Sequence, residues 1–362
     1  MNRREFLKYF TLFGASVVLG EASAYANWLT AKKRHGFPLG MVVIDPHAHP
    51  DIFPCTPSFC DQTTTLEKIE ELRMNASCFA EVGDRSGGAG GARVPVPFNE
   101  LLTNLAKLTD LVEAGQIKIV RKFTDLPHCV LRQNMTPGAI IGLEGGDPIE
   151  TYPDRVDVLY HDYGVRIITP MHYRINEIGD IMTASPVHHG LTPVGQQIVE
   201  RMMSLGIIVD VAHAHIHTLE GIADIARANG VPIIDSHTSL TLRENPYGTT
   251  RLRTFEEMEM VAETGGVVCT WPLGWRVDAS HHRTSFFDWA EENLQIAQRL
   301  GIEHVGLGTD AGGGLPDLID GYESILDLPN LVDAMDEVGF NRRDIAAYMG
   351  GNLRRVIKNC IG

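Results

Sequence analysis

Short apolar, β-branched runs recur along the chain at residues 41–45, 76–79, 139–143, 165–169, 207–211, 232–235, 266–270 and 304–308. Each reads as a buried strand. Between them, apolar residues recur at helical spacing. In residues 192–205, Val194, Ile198, Met202 and Leu205 fall on one face. Further helices are expected over residues 66–73, 98–113, 155–162, 219–228, 255–263 and 286–300. Strands that alternate with helices pair in parallel, because a parallel partner needs a crossover connection. Eight such units point to an α/β protein, a (β/α)8 TIM barrel. A ninth strand-like run at residues 117–120 keeps a doubly wound open sheet in play on pattern alone. No Gly-x-Gly-x-x-Gly follows the first strand, which counts against dinucleotide binding. The glycine-rich stretch 87–91 lies away from any strand end and reads as a loop.

Composition sharpens this picture in three ways. The 362 residues are 44% apolar, enough for one large core, and the barrel is expected to occupy residues 41–362. The formal net charge of −15 repels phosphate backbones, so no nucleic-acid partner is expected. The N-terminus carries Arg3 and Arg4, then an apolar stretch over residues 9–20, then Ala24-Tyr25-Ala26. Those three zones in that order read as a signal peptide over residues 1–26, and the paired arginines resemble a twin-arginine export signal. The alternative is a basic amphipathic first helix. Export would place the protein in the periplasm or cell envelope, and a linker over residues 27–40 would join the signal to the barrel. Membrane attachment would require the signal to stay uncleaved. The six cysteines form no Cys-x-x-Cys pair, which argues against a thiolate zinc site. Cys55 and Cys60 share a proline-rich loop and are either a disulfide or two loop thiols.

The chemistry lies in the polar residues just past each apolar run. His47 and His49 come after strand 1, Glu144 after strand 3, His172 after strand 4, His213 after strand 5, His237 after strand 6 and Asp310 after strand 8. In a barrel these positions converge on one mouth, where barrel enzymes place their chemistry. Imidazoles with carboxylates suit zinc and related divalent ions, and one carboxylate can bridge two of them. A lone histidine beside a strand is ordinarily a loop or core residue, but seven such residues at corresponding strand ends are not explained that way. His215, His217 and the pairs His188-His189 and His281-His282 read as loop or rim residues.

These residues sit in longer blocks that resemble membrane (renal-type) dipeptidases. The blocks are Ile141-Gly-Leu-Glu144, the run Tyr163 through His172, the run Gly190 through His213, Pro232-Ile-Ile-Asp-Ser-His237, Gly306-Leu-Gly-Thr-Asp310 and Gly350-Gly-Asn-Leu-Arg-Arg-Val356. The resemblance extends from about residue 41 to the C-terminus. It implies a binuclear zinc hydrolase of the amidohydrolase superfamily. Glu144 would bridge two zinc ions, with His213 and His237 on one and His47 and Asp310 on the other. Asp310 would take the proton of the attacking water, and His172 would steady the oxyanion. The sequence departs from the family in two places. The family reads His-x-Asp after strand 1, whereas this chain has His47-Ala48-His49, so His49 would replace a carboxylate ligand. The family also carries an arginine after strand 6 for the substrate carboxylate. Arg251 falls near it, with Arg243 and Arg253 as competitors.

The expected function is hydrolysis of a dipeptide or similar small amide by an exported enzyme with two divalent cations, zinc first among them. The alternatives are another hydrolase of the superfamily, acting on a lactone, an N-acyl amino acid or a phosphoester, and a non-catalytic exported binding protein. Homodimerisation is compatible with all three.

Overall fold

The computed structural model describes residues 37–38, 40–50, 65–87, 92–127, 135–241, 251–278, 281–315 and 317–362. The expected signal with Arg3 and Arg4, most of the linker, Cys55, Cys60 and Arg243 lie outside the described residues. Among the described residues no helix is long and apolar enough to cross a membrane.

Eight parallel strands form the barrel. They are β1 (Ile44–Asp45), β2 (Ala76–Val82), β3 (Gly138–Glu144), β4 (Val165–Thr169), β5 (Ile208–Val209), β6 (Ile234–Leu240), β7 (Val267–Thr270) and β8 (Val305–Leu307). Parallel pairing runs from β1 through β5 and again from β6 through β8. Two single parallel bridges close the ring, Asp210 with Ile234 between β5 and β6, and Ala48 with Ala311 beyond the ends of β1 and β8. Closure removes the open-sheet alternative. The ninth run is a two-residue strand, Lys118–Ile119, which pairs with the first residues of β3 only. Strand β4 joins β3 at Ile141, so the extra strand occupies the part of β3 that the ring leaves unpaired.

Helices follow the strands as expected. They are α1 (Thr65–Leu72), α2 (Phe98–Ala106), α3 (Leu108–Glu113), α4 (Asp154–His161), α5 (Pro193–Leu205), α6 (Ile216–Asn229), α7 (Phe255–Ala262) and α8 (Phe286–Leu300). The single helix expected over residues 98–113 is divided at Lys107. Helix α6 begins earlier than its apolar pattern indicates, because His215 caps it by accepting from the His217 N–H at 3.3 Å. His215 is therefore buried, which corrects its reading as a rim residue. After β8 come α9 (Leu328–Val338), α10 (Arg342–Ala346), a π-helical turn and α11 (Asn352–Ile361).

Strand side chains alternate between two cores. Phe79, Ile141, Leu143, Ile168, Val209 and Val268 face the helices. Ile44, Cys78, Ile140, Ile167, Ile208, Val267 and Cys269 fill the barrel, where they meet Leu353, Val356 and Ile357 of α11. Helix α11 closes the floor: Cys360 Sγ lies 3.6 Å from Pro232 O, just before β6, and Gly362 O accepts from Phe123 N–H at 2.9 Å. The apolar filling and its plug leave only the opposite end, the C-terminal ends of the strands, open to chemistry.

Candidate metal centre

Every sequence-predicted site residue reaches that end. His47 and His49 follow β1, Glu144 ends β3, His172 follows β4, His213 follows β5, His237 lies within β6 and Asp310 follows β8. His47, Glu144, His172, His213, His237 and Asp310 are buried, and His49 is partly buried. Two of these residues have strained backbones: His213 has φ 73° and Asp310 has φ 49°. A non-glycine residue in that region costs about 1–3 kcal/mol and persists where its surroundings over-determine it. Around His213, Arg253 donates to the carbonyls of Val211 (2.6 Å) and Ala214 (2.8 Å). Around Asp310, the backbone N–H donates to His47 O at 3.0 Å, and a Cβ on Gly313 would lie 2.0 Å from Asp310 Oδ1.

Glu144 sits at the centre. Its Oε1 lies 2.9 Å from His213 Nε2, 3.3 Å from His47 Nε2 and 3.6 Å from His237 Nε2. Its Oε2 lies 3.4 Å from His49 Nε2 and 3.5 Å from His172 Nε2. Asp310 Oδ1 is 3.3 Å from His49 Nε2 and 3.9 Å from His47 Nε2. The imidazoles also approach one another, with Nε2–Nε2 distances of 3.2 Å for both His47–His49 and His213–His237.

Hydrogen bonding fixes which nitrogens carry lone pairs. His49 Nδ1 contacts Ala80 O at 3.0 Å, and a carbonyl only accepts, so Nδ1 is the donor. Ser236 Oγ gives its proton to Asp210 Oδ2 at 2.6 Å and therefore accepts from His237 Nδ1 at 2.8 Å. In the neutral rings both Nε2 atoms then turn a lone pair toward the carboxylates. Lone pairs and carboxylate oxygens converging this closely repel one another unless cations lie between them, so the donor set fits divalent metal. Two ligand groups share Glu144, one with His47 and His49 and the other with His213 and His237. A third group, His47 with Asp210 and His237, is geometrically available. Asp210 is already engaged by the Ala212 and Ser236 N–H groups and by the hydroxyls of Thr169 and Ser236, so it braces the strands instead.

The electrostatics differ between the two histidine pairs. Burial and then His47 and Arg251 hold His237 well below the usual imidazole range, and burial with Arg251 does the same for His213. Neutral imidazole is the ligand form. Burial opposes charge on His47 and His49, but Glu144 and Asp310 outweigh it and raise both rings. Burial likewise opposes charge on Glu144, yet His172 and His47 hold it well below the carboxylate range. The acidic side of the cluster thus draws positive charge to itself.

The three arginine candidates separate cleanly. Arg253 is sealed in an ion-pair triad with Asp235 (2.9 Å) and Glu257 (3.0 Å) and cannot meet substrate. Arg243 is outside the described residues. Arg251 is 8% exposed, lies 5.3 Å from the Trp271 ring centre, and donates to Met182 Sδ at 3.0 Å and His237 O at 3.3 Å. Its Nε has no partner among the described residues.

Sequence patterning does not single out Asp84, Arg93 or Tyr173. Asp84 Oδ1 lies 2.6 Å from His172 Nδ1 and 2.8 Å from Arg93 Nη2. The expected strand over residues 76–79 stops short of its true end at Val82, so Asp84, which follows that end, carries no signal. Tyr173 directly follows His172, and its ring lies 4.9 Å from that of His213.

A profile of the membrane dipeptidase family (peptidase family M19) matches residues 77–360. The dipeptidase tcpJ of Claviceps purpurea is 27% identical over 229 residues, covering 61% of this chain and 51% of that protein. The dipeptidase aclJ of Aspergillus oryzae is 29% identical over 227 residues, covering 61% and 52%. The chain thus spans about half the length of these curated relatives. Among solved structures, the probable dipeptidase PvdM of Pseudomonas aeruginosa superposes with TM-score 0.74 at 18% identity, covering 93% of this chain and 98% of that one. A metallopeptidase of Rhodobacter sphaeroides, bound to a phosphinate mimic of L-Ala-D-Ala, does so with TM-score 0.72 at 19% identity, covering 89% and 99%. At such identities the likeness shows the barrel fold. The length of the matched profile carries the assignment, and the chain belongs to the membrane dipeptidase family.

Proposed function

We propose that the protein hydrolyses dipeptides, or small amides like them that carry a free carboxylate, with two divalent cations, preferably zinc. His213 and His237 would hold one cation, His47, His49 and Asp310 the other, and Glu144 would serve both. The observation that carries the substrate class is Arg251, a buried guanidinium beside the cluster with no carboxylate partner among the described residues. A guanidinium whose Nε is unpartnered and whose Nη groups meet a thioether and a carbonyl keeps N–H donors for a carboxylate. The curated relatives named as dipeptidases, and the peptide mimic in the Rhodobacter sphaeroides structure, support the reading.

Bound cations polarise the scissile carbonyl and acidify water. The chain's own residues do the rest. Arg251 receives the substrate carboxylate and so fixes which amide faces Glu144. Asp310 accepts the proton of the attacking water and returns it to the leaving amine. His172 Nε2, on the site side of its ring, donates to the developing oxyanion. The export reading of residues 1–26 is proposed alongside, on the twin-arginine pattern alone.

The test is a screen of zinc-reconstituted protein against dipeptides, N-acyl amino acids and lactones, with metal content measured on the same samples. Arg251→Ala should raise KM about tenfold to a hundredfold for substrates with a free carboxylate and leave neutral analogues unchanged. Equal effects on both would refute carboxylate recognition and favour the lactone reading. His172→Ala should keep both metals and lose about 10²–10³-fold in turnover. Loss of metal in step with activity would make His172 a ligand instead.

A further inference from the structure

We infer that Asp84 is the positioning residue for His172, forming with the half-buried Arg93 an Arg–Asp–His relay that aims the His172 Nε2 at the reacting carbonyl. The inference rests on the proposed role of His172. Asp84 enters from the turn after β2, where Gly83 allows a close approach: a Cβ there would lie 1.9 Å from Gly145 O. From Asp84 a short strand, Asp84–Ser86, runs antiparallel to Arg93–Pro95, and the hairpin brings Arg93 back over its own origin. Arg93 Nη2 bonds both the Asp84 carbonyl (3.1 Å) and Oδ1 (2.8 Å). The guanidinium lies 5.6 Å from the Tyr173 ring centre.

The chemistry of the contact sets the direction of the imidazole. The Asp84 side chain is fully buried, and burial alone would push its carboxyl up. His172 and Arg93 outweigh burial and hold it below the usual carboxylate range. An ionised carboxylate only accepts, so His172 Nδ1 must donate. That turns Nε2 away from the wall and toward Glu144 Oε2, 3.5 Å away. The 2.6 Å contact with Asp84 fixes the ring so that Nε2 faces the site, while Arg93 keeps the carboxylate from rotating away. Asp84 never reaches the substrate and acts only through the ring.

A double-mutant cycle separates this role from simple anchoring of the hairpin. Asp84→Asn should lower kcat about 10–100-fold, with KM within about threefold and metal content unchanged. In the His172→Ala background the same change should add nothing to the loss. Additive losses would overturn the assignment and leave Asp84 a hairpin anchor. Imidazole NMR on protein labelled with ¹⁵N-histidine gives a readout independent of turnover. His172 should show a hydrogen-bonded Nδ1 proton, identified by its loss in His172→Ala and displaced in Asp84→Asn. Its absence in the wild type, or its persistence unshifted in Asp84→Asn, would also overturn the assignment. If the wild type cleaves no dipeptide, the proposed activity falls, and the imidazole signal alone decides the Asp84–His172 contact.

Discussion

Glu81 points into the layer between β2 and α2, where Asn104 Nδ2 donates to its Oε1 at 2.7 Å and Oε2 meets no partner among the described residues. Burial pushes this carboxyl up from 4.5 to about 7, against the opposing pull of the Asn104 hydrogen bond. The folded protein therefore binds a proton that the unfolded chain has released between those two values. Stability falls as pH rises through that window, and the penalty is complete above it. Its upper bound is about 3 kcal/mol, from roughly 1.4 kcal/mol per pK unit. Glu81→Gln mimics the protonated form, so its stability should vary less from about pH 5 to about pH 8 and exceed the wild type at the upper end. Denaturant melts at both pH values check this, and parallel curves would remove Glu81 from the account. His49 is the second residue-level case, since the resemblance implies an aspartate at its place. Its Nε2 faces both Glu144 and Asp310 while Ala80 O fixes its tautomer. His49→Asp should retain metal, because a carboxylate can take the same place, whereas His49→Ala offers no lone pair and should lose affinity at one site. Unchanged metal content in the alanine variant would show that His49 binds none.

Elements are legible where burial is apolar and obscured where it is polar. Strands 3, 4 and 7 stand close to where their apolar runs end. Strand 6 is expected over residues 232–235, yet β6 runs Ile234–Leu240 through Asp235, Ser236, His237, Thr238 and Ser239, all buried. Hydropathy cannot mark such a strand, because several of its polar side chains bond partners distant in sequence: Arg253 for Asp235, Asp210 for Ser236, Trp271 and Arg283 for Ser239. Strand 2 is cut short for the same reason, at Glu81, and Asp84 is lost with it. Arg93 cannot be read at all, since its meaning depends on a hairpin crossing glycine-rich chain. The candidate metal-ligating histidines escape this limit because strand order alone brings them together. Helix α11 gives the element-scale prediction. Leu353 is 2% exposed and plugs the barrel floor, at the opposite end from Glu144. Leu353→Ala should lower stability by about 2–5 kcal/mol through the cavity it leaves. Metal stoichiometry and KM should hold, and a change in either would mean that the floor and the mouth are coupled.

Across the whole molecule the cluster ties together the ends of β1, β3, β5, β6 and β8, more than half the ring. Those ends meet through lone pairs and carboxylates that oppose one another, so the barrel mouth should depend on bound cations for part of its stability. A ligand held only by the folded state adds about 2.7 kcal/mol at a hundredfold excess over its Kd. Chelation should therefore lower the melting temperature, and added zinc should restore it in proportion to the logarithm of free metal. Elemental analysis should find two ions per chain, and one ion with full activity would defeat the two-metal reading. Variants then distinguish the two sets. Glu144→Gln removes the group both share, so its melting temperature should cease to respond to zinc. His237→Ala spoils only the set on β5 and β6, so about half the bound metal and a reduced response should survive. If His237→Ala abolishes both, the sets bind as one cooperative unit. If Glu144→Gln still takes up two ions, the bridge is not Glu144.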